Sequence, residues 1–469
     1  MRNPHPKYTC YPSVVCVGKK TEVTIFPSDL AYVFRTEDKY ELGVFGLVDD
    51  LIDYHSKLPF EVDFKIENGC LKFEYLFERE QEYSIRISKN GAKAVSVPMY
   101  AVNSDLYSLR PLKGELHTHS YYSDGSDGVA MVASNYREEG FDFFALTDHN
   151  RMFTSNAILK LYKDVKLGMT MLVGEEIHTP GSNVHIVHIG GKYSVCEKYI
   201  KNPEQFKAEV AEIEKTLVDV NEQYRFRLAS AIWSCSEIKK AGGISIFAHP
   251  FWKSNLYNVS EDFCKLLFDA NIFDVFELFN GASIALDNLQ ISLWQQQMLK
   301  GNVMPVVASS DSHRHDFATD GFARSFSIVF AKSTNAEDIL EAIKNGKSVA
   351  VEIPHAADNE ARFYSTEFRY VAFARFLWEN YFNQTWRLCI GEGVLMRRFA
   401  QGENVEDLLC SFSDTVENFY NKFYGFVKVD GVEKSRLEYL DDLRKLQIDS
   451  GLITKGSSLY IYGGNERRE

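Results

Sequence analysis

Chemistry first shows itself in Gly114-Glu-Leu-His117-Thr-His119, where two imidazoles stand two residues apart. In an extended strand alternate side chains share a face, so His117 and His119 point the same way and can grip one ion. Asp311-Ser-His313 repeats the spacing with one carboxylate and one imidazole. Glu176 follows the apolar stretch Met171-Leu-Val-Gly, His149 ends Ala145-Leu-Thr-Asp-His, and His249 ends Ile246-Phe-Ala-His, where Pro250 closes the strand. Asp124 lies in the polar turn Ser123-Asp-Gly-Ser. Imidazole nitrogens and carboxylate oxygens suit Zn²⁺, Mn²⁺ and Fe²⁺. A carboxylate can bridge two such ions about 3.5–4 Å apart, and water bound to them ionises near pH 7, so hydroxide becomes available as a nucleophile. The same ions neutralise charge developing on a phosphoryl or carbonyl oxygen.

Each fragment is weak by itself. A lone HxH or DxH is more often not a ligand pair, and Ala-His-Pro can be a plain strand end. Their joint occurrence carries the reading, because each ends a separate expected strand, the rim on which α/β barrels build active sites. Nine of the twelve histidines fall between His117 and His315. His5, His55 and His355 lack this context and are expected to be ordinary surface or core histidines.

The elements that must position these groups are short apolar strands alternating with helical stretches over residues 109–356, the pattern of a parallel α/β architecture. Expected strands are Phe143-Phe-Ala-Leu-Thr, Met171-Leu-Val-Gly, Ile244-Ser-Ile-Phe-Ala, Val275-Phe-Glu-Leu-Phe and Val303-Met-Pro-Val-Val-Ala. One helix is expected to start near Asp127, which can cap it, and to stop at Gly140; another runs from about Ala336 to Lys344. Residues 1–108 read as a β-sandwich, since Phe60-Glu-Val-Asp-Phe, Leu71-Lys-Phe-Glu-Tyr and Tyr83-Ser-Ile-Arg-Ile alternate apolar and polar residues. Residues 357–469 read as a helical region in which Phe368, Val371, Ala372 and Phe376 share one face and Leu437, Leu440 and Leu443 another. Arg397-Arg398 and Asp441-Asp442 there read as solvated faces.

A chain of 469 residues is too long for one ordinary core, and 45% hydrophobic with 25% charged residues is the balance of a folded protein. The net charge of −13 argues against a nucleic-acid partner. It leaves an anionic substrate open, since a bound ion can override the surrounding field. No apolar run near Met1 suits a signal peptide and none elsewhere spans a bilayer, so no membrane partner and a cytoplasmic location are expected. The eight scattered cysteines form no CxxC pair and are expected to be reduced thiols.

Taken in order, Glu115-Leu-His117-Thr-His119-Ser, Ser123-Asp124-Gly, Leu146-Thr-Asp-His149, Gly174-Glu-Glu176, Ala248-His249-Pro and Ser310-Asp311-Ser-His313 resemble the motif set of the polymerase and histidinol phosphatase (PHP) superfamily. Phe276-Glu-Leu-Phe-Asn280-Gly is similar to a further recurring stretch. The resemblance covers about residues 110–356, and a β-rich segment ahead of it also resembles carbamate-cleaving members. It implies a distorted (β/α)7 barrel with a cluster of two or three divalent ions (Zn, Mn or Fe). Carried over, His117, His119, Glu176 and Asp311 would hold a first ion. Glu176 would bridge to a second, completed by His249 and a histidine of Val184-His185-Ile-Val-His188, and Asp124, His149 and His313 would hold a third. His185 and His188 lie three apart, so a regular strand sends them to opposite faces. His185 fits the family strand better, and His188 is the alternative. The pattern Gly-x-Glu selects Glu176 over Glu175, and His178 shares a face with Glu176.

The expected activity is hydrolysis of a small phosphorylated, anionic substrate by hydroxide held between the ions. Glu176, His249 and His313 are the expected catalytic groups, and Arg324 and His178 the expected substrate contacts. Trp252 and Lys253 are weaker candidates for such contacts. The same ions could serve an amide, carbamate or ester hydrolase. A third possibility is a metal-binding scaffold without catalysis. The terminal regions could support a homo-oligomer.

Overall fold

The computed structural model describes residues 6–47, 61–92, 94–316, 320–354 and 360–451. His5, His55 and His355 lie outside them. The described residues divide into two compact units: Asn103–Tyr420, and a second made of those from 6 to 102 together with those from 421 to 451.

The second unit is built on two four-stranded sheets. One has the order Tyr8–Tyr11, Lys20–Pro27, Cys70–Leu76, Lys65–Glu67, and the other Val14–Cys16, Val95–Val102, Gln81–Lys89, Tyr40–Gly46. Every pairing is antiparallel except Val14–Cys16 with Val95–Val102, which is parallel. Alternation sends Val23, Ile25 and Phe73 of one sheet and Ile85, Ile87, Val97 and Met99 of the other into one shared core. The helix Lys434–Asp449 lies on this unit, with Leu437 and Leu440 against Val33, Cys70 and Val432. Leu443 stays 41% exposed. Asp441 pairs with Arg35 at 3.3 Å.

The helices Phe368–Leu377, Asn383–Ala400 and most of Glu406–Phe423 belong to the other unit, so the described residues from 360 to 451 are shared out between the two units. A buried ion pair explains the docking of the middle helix. Arg137, fully buried, donates through Nε to Glu392 Oε2 at 2.7 Å, while Gly168 N donates to Glu392 Oε1. Each charge is matched, which is the condition for burying both. Arg397 is not simply solvated: its guanidinium pairs with Glu138 and donates to Asn135 Oδ1 at 3.0 Å. On Phe368–Leu377 the buried face is Phe373, Ala374, Phe376 and Leu377, and Phe368 is 84% exposed.

In this first unit the strands form two sheets. One has six strands in the order Thr170–Leu172, Phe143–Ala145, Arg110–Glu115, Ser325–Ala331, Ser348–Glu352, Arg362–Tyr364. The other has five in the order Gly174–His178, His185–Ile189, Ile244–Ala248, Val275–Phe279, Val306–Ala308. The closed (β/α)7 ladder implied by the resemblance is therefore not formed among the described residues. Among the described residues the two sheets are joined by single bridges, Thr118 with Ser312 and His149 with Glu176. The ladder stops there because side chains take the backbone N–H groups: Glu115 Oε1 accepts from Leu116 N and His117 N, Thr147 Oγ1 from Thr118 N, and Asp148 Oδ1 from Ser120 N. The helix expected from Asp127 spans Val129–Glu138, with Gly128 at its start and no side-chain cap. The helix Ala336–Lys344 is as expected. All eight cysteines are unpaired thiols.

Candidate metal centre

The site residues stand where strands end. His117 and His119 follow Arg110–Glu115, His149 follows Phe143–Ala145, His249 follows Ile244–Ala248, and Asp311 and His313 follow Val306–Ala308. The backbone leaves the β conformation at just these points, with φ of 26° at His249, 49° at Asp311 and 54° at Asn150. Such left-handed geometry is unfavourable for residues other than glycine and clusters at functional sites. Asp124 is delivered by a turn folded hard against the first strand. A Cβ on Gly125 would lie 2.5 Å from the His119 carbonyl oxygen, so only glycine permits that fold.

His185–Ile189 runs antiparallel to both neighbours, and this decides which of its histidines faces the cluster. Its first residue, His185, sits on the rim opposite His178 and Ala248. His188 lies opposite Glu175 on the other face and donates through Nδ1 to Glu175 Oε1 at 3.0 Å.

Glu176 is the hub. Its Oε2 lies 2.6 Å from His149 Nδ1, 3.3 Å from His117 Nε2 and 3.4 Å from His119 Nε2. Its Oε1 lies 2.8 Å from His185 Nδ1 and 3.2 Å from His249 Nε2. Asp311 Oδ1 lies 3.0 Å from His119 Nε2 and 3.3 Å from His117 Nε2, and Asp311 Oδ2 is 3.7 Å from His249 Nε2. Asp124 Oδ1 lies 3.2 Å from His149 Nε2 and 3.3 Å from His313 Nε2. Five overlapping donor groups with atoms within 4.8 Å of one another result: His117–His119–Glu176, Glu176–His185–His249, His119–Asp124–His149–His313, His117–His249–Glu277 and His149–Glu176–His178.

Several of these atoms are buried without a hydrogen bond: His117 Nε2, His149 Nδ1, His185 Nδ1 and Glu176 Oε2. They approach one another at ion-pair distance without forming a hydrogen bond. Leaving so many buried polar atoms unsatisfied is costly unless a cation completes them. The charge balance says the same. Burial lowers the pKa of His117, His149 and His249, but the facing carboxylates outweigh it and raise all three, to well above the ordinary value for His117. Burial would raise the Glu176 and Asp311 carboxyls, but the surrounding histidines hold both below the ordinary range. His119 and His185 go the other way, pushed down by burial, His185 to about 4. The cluster thus demands positive charge, and its nitrogen and oxygen donors fit a divalent ion of the zinc, manganese or iron kind.

Three buried carboxylates that the motif reading did not assign hold the ligand-bearing segments in place. Glu277, fully buried, accepts from His117 Nδ1 at 2.9 Å and from His249 N at 3.1 Å. That contact sets His117 so that Nε2 points at the cluster. Glu115 accepts from Ser310 N as well as from His117 N, and burial raises its carboxyl to about 7. Asp148 accepts from Ser120 and Ser123. The signal for Glu277 was its place as the one charged residue of the buried strand Val275–Phe279. Arg324 donates through its guanidinium to the Ile353 carbonyl at 3.5 Å. Trp252 is 47% exposed, in the turn after His249-Pro250.

Residues 115–255 match the PHP domain family. This chain carries a PHP domain. The DNA polymerase/3'-5' exonuclease PolX of Bacillus subtilis is 34% identical over 55 residues, 12% of this chain. The chain thus spans only 10% of the length of that curated relative. Among solved structures, a Bacteroides vulgatus two-domain protein containing a predicted PHP-like metal-dependent phosphoesterase is 20% identical with a TM-score of 0.37, over 52% of this chain and 65% of that one. An amidohydrolase from Chromobacterium violaceum is 17% identical with a TM-score of 0.31, over 43% of this chain and 88% of that one. The PHP match and the donor groups together support divalent metal binding. Among the described residues no helix is long and apolar enough to cross a membrane.

Proposed function

We propose that this protein is a metal-dependent phosphoesterase acting on a small anionic substrate, with two or three divalent ions in the PHP site. The observation that carries the reading is Glu176, one buried carboxylate with five imidazole nitrogens between 2.6 and 3.4 Å of its two oxygens. A carboxylate so shared is the bridging ligand expected between adjacent cations. The single bridges Thr118–Ser312 and His149–Glu176 bring the edges of the two sheets together beside it.

Bound divalent ions would supply Lewis acidity toward a phosphoryl oxygen and a source of hydroxide near pH 7. The chain's residues do the rest. His117, His119, Glu176 and Asp311 would hold one ion, Glu176, His185 and His249 a second, and Asp124, His149 and His313 a third. Glu277 keeps the proton of His117 on Nδ1, which leaves Nε2 as a lone-pair donor. His313 has Nδ1 2.8 Å from the Asp311 carbonyl, so Nδ1 carries its proton and Nε2 faces Asp124. His313 and Asp124 are also the more open members, at 28% and 56% side-chain exposure, so substrate would enter on their side.

A panel of phosphomonoesters and phosphodiesters, assayed before and after chelation, tests this. Chelator-sensitive phosphate release restored by Mn²⁺ or Zn²⁺ is the expected outcome. Bound ions with no turnover of any phosphoester would contradict the phosphoesterase reading and direct the search to carbonyl substrates.

A further inference from the structure

His178 has no place in the three-ion assignment proposed above, yet the strand that carries Glu176 aims it at the same cluster, in one donor group with His149 and Glu176. Alternation along Gly174–His178 places Glu176 and His178 on one face. The residue paired with His178 across the ladder is His185, and the two rings stack at 4.0 Å with 14° between planes. The His149 ring is 4.2 Å away. The backbone beneath is fixed: His178 N donates to Asn150 Oδ1 at 3.0 Å, and Asn150 N donates to the Glu176 carbonyl at 2.7 Å. Tyr199 in turn donates its hydroxyl to Asn150 Oδ1 at 2.6 Å.

The side chain is 38% exposed, so the ring could have turned its nitrogens to water. Instead Nε2 is buried, without a hydrogen-bond partner, and lies 3.8 Å from Glu176 Oε2. That is too long for a hydrogen bond. It suits two donors that share one ion, each about 2.0–2.2 Å from it. Glu176, His149 and His178 present three such atoms within 4.8 Å of one another.

We infer that His178 is an additional ligand of the metal centre, its Nε2 joining Glu176 and His149 at the solvent-facing side of the cluster. The inference rests on the proposed metal centre but not on the kind of bond hydrolysed. It makes the position beside His149 the one at which an ion gains a donor that half faces solvent, and so the position most sensitive to a change in this side chain.

The test uses the full-length protein, stripped and reloaded with Co²⁺ or Zn²⁺, as wild type, His178→Ala and His178→Gln. Ion content is read by elemental analysis, affinity by calorimetry, and Co²⁺ coordination by visible absorption. Both variants should lose one ion per chain at limiting metal, or hold the weakest ion about tenfold or more weakly. The Co²⁺ spectrum should change, while the melting temperature of the stripped protein stays at the wild-type value. Wild-type ion count, affinity and spectrum in either folded variant overturn the inference, even if hydrolysis falls, and would make His178 a substrate contact. A wild-type protein that binds no ion would instead overturn the metal centre itself, so the two failures are distinguishable.

Discussion

The strand pair Gly174–His178 and His185–Ile189 carries the same two residue types on both of its faces, with opposite consequences. On one face Glu175 is matched completely: it accepts from His188 Nδ1 at 3.0 Å, Ser194 Oγ at 2.5 Å and Val195 N at 2.7 Å. His188 Nε2 has no partner, but it is walled in by glycine backbone, since a Cβ on Gly191 or Gly243 would lie 2.1 or 2.5 Å from it. On the other face Glu176 meets imidazoles on every side, and several nitrogens have no hydrogen bond. Glutamate and histidine in a buried strand are therefore not a site by type. What separates the faces is whether the donors satisfy one another or converge on a point they leave to a third party.

The sharpest break of this comparison is at the hub. Glu176→Gln should lower turnover by about a thousandfold or more, measured as kcat/KM on the best phosphoester. Near-wild-type turnover would remove Glu176 from the centre of the account. Next comes the histidine pair. His185→Ala should weaken ion binding by about 10–100-fold in a calorimetric titration. His188→Ala should leave it within about twofold, because a group outside the ion's ligand sphere and its supporting contacts has little hold on affinity. Equal losses would mean that the two faces do not differ in function.

Glu277→Gln keeps the shape but weakens the hold on His117 Nδ1. Ion affinity or activity should fall by about tenfold, since partners of ligating histidines typically matter at that level. No change in either would reduce Glu277 to a packing role. The smallest functional effect is expected from Glu175→Gln. It disturbs hydrogen bonds to a buried carboxylate and should cost about 1–3 kcal/mol in denaturant unfolding, with turnover per folded molecule unaltered. A loss of turnover without a loss of stability would show that the Glu175 face also takes part.

Much of this was legible in sequence because period-two alternation is local. His117 with His119, and Glu176 with His178 against Glu175, follow from strand geometry alone, and the apolar stretches ending at Ala145, Ala248 and Ala308 are strands. The choice between His185 and His188 was not fixed locally, since it depends on that strand running antiparallel with its first residue on the rim. Glu277 and Glu115 were passed over because a buried carboxylate gains its meaning from long-range partners, here His117, His249 and Ser310. The division of the C-terminal helices between two units was equally hidden. Leu437 and Leu440 look like any apolar stripe until Val33, Cys70 and Val432 are known to lie beneath them.

The most direct test is elemental analysis of the full-length protein after loading with Mn²⁺ or Zn²⁺ and exhaustive dialysis, as wild type, Glu176→Gln and Glu175→Gln in parallel. The account predicts about two or three ions per chain in the wild type, the same in Glu175→Gln, and a loss of at least one in Glu176→Gln. A wild-type protein that retains no ion, or a Glu176→Gln protein that retains all of them, would contradict it.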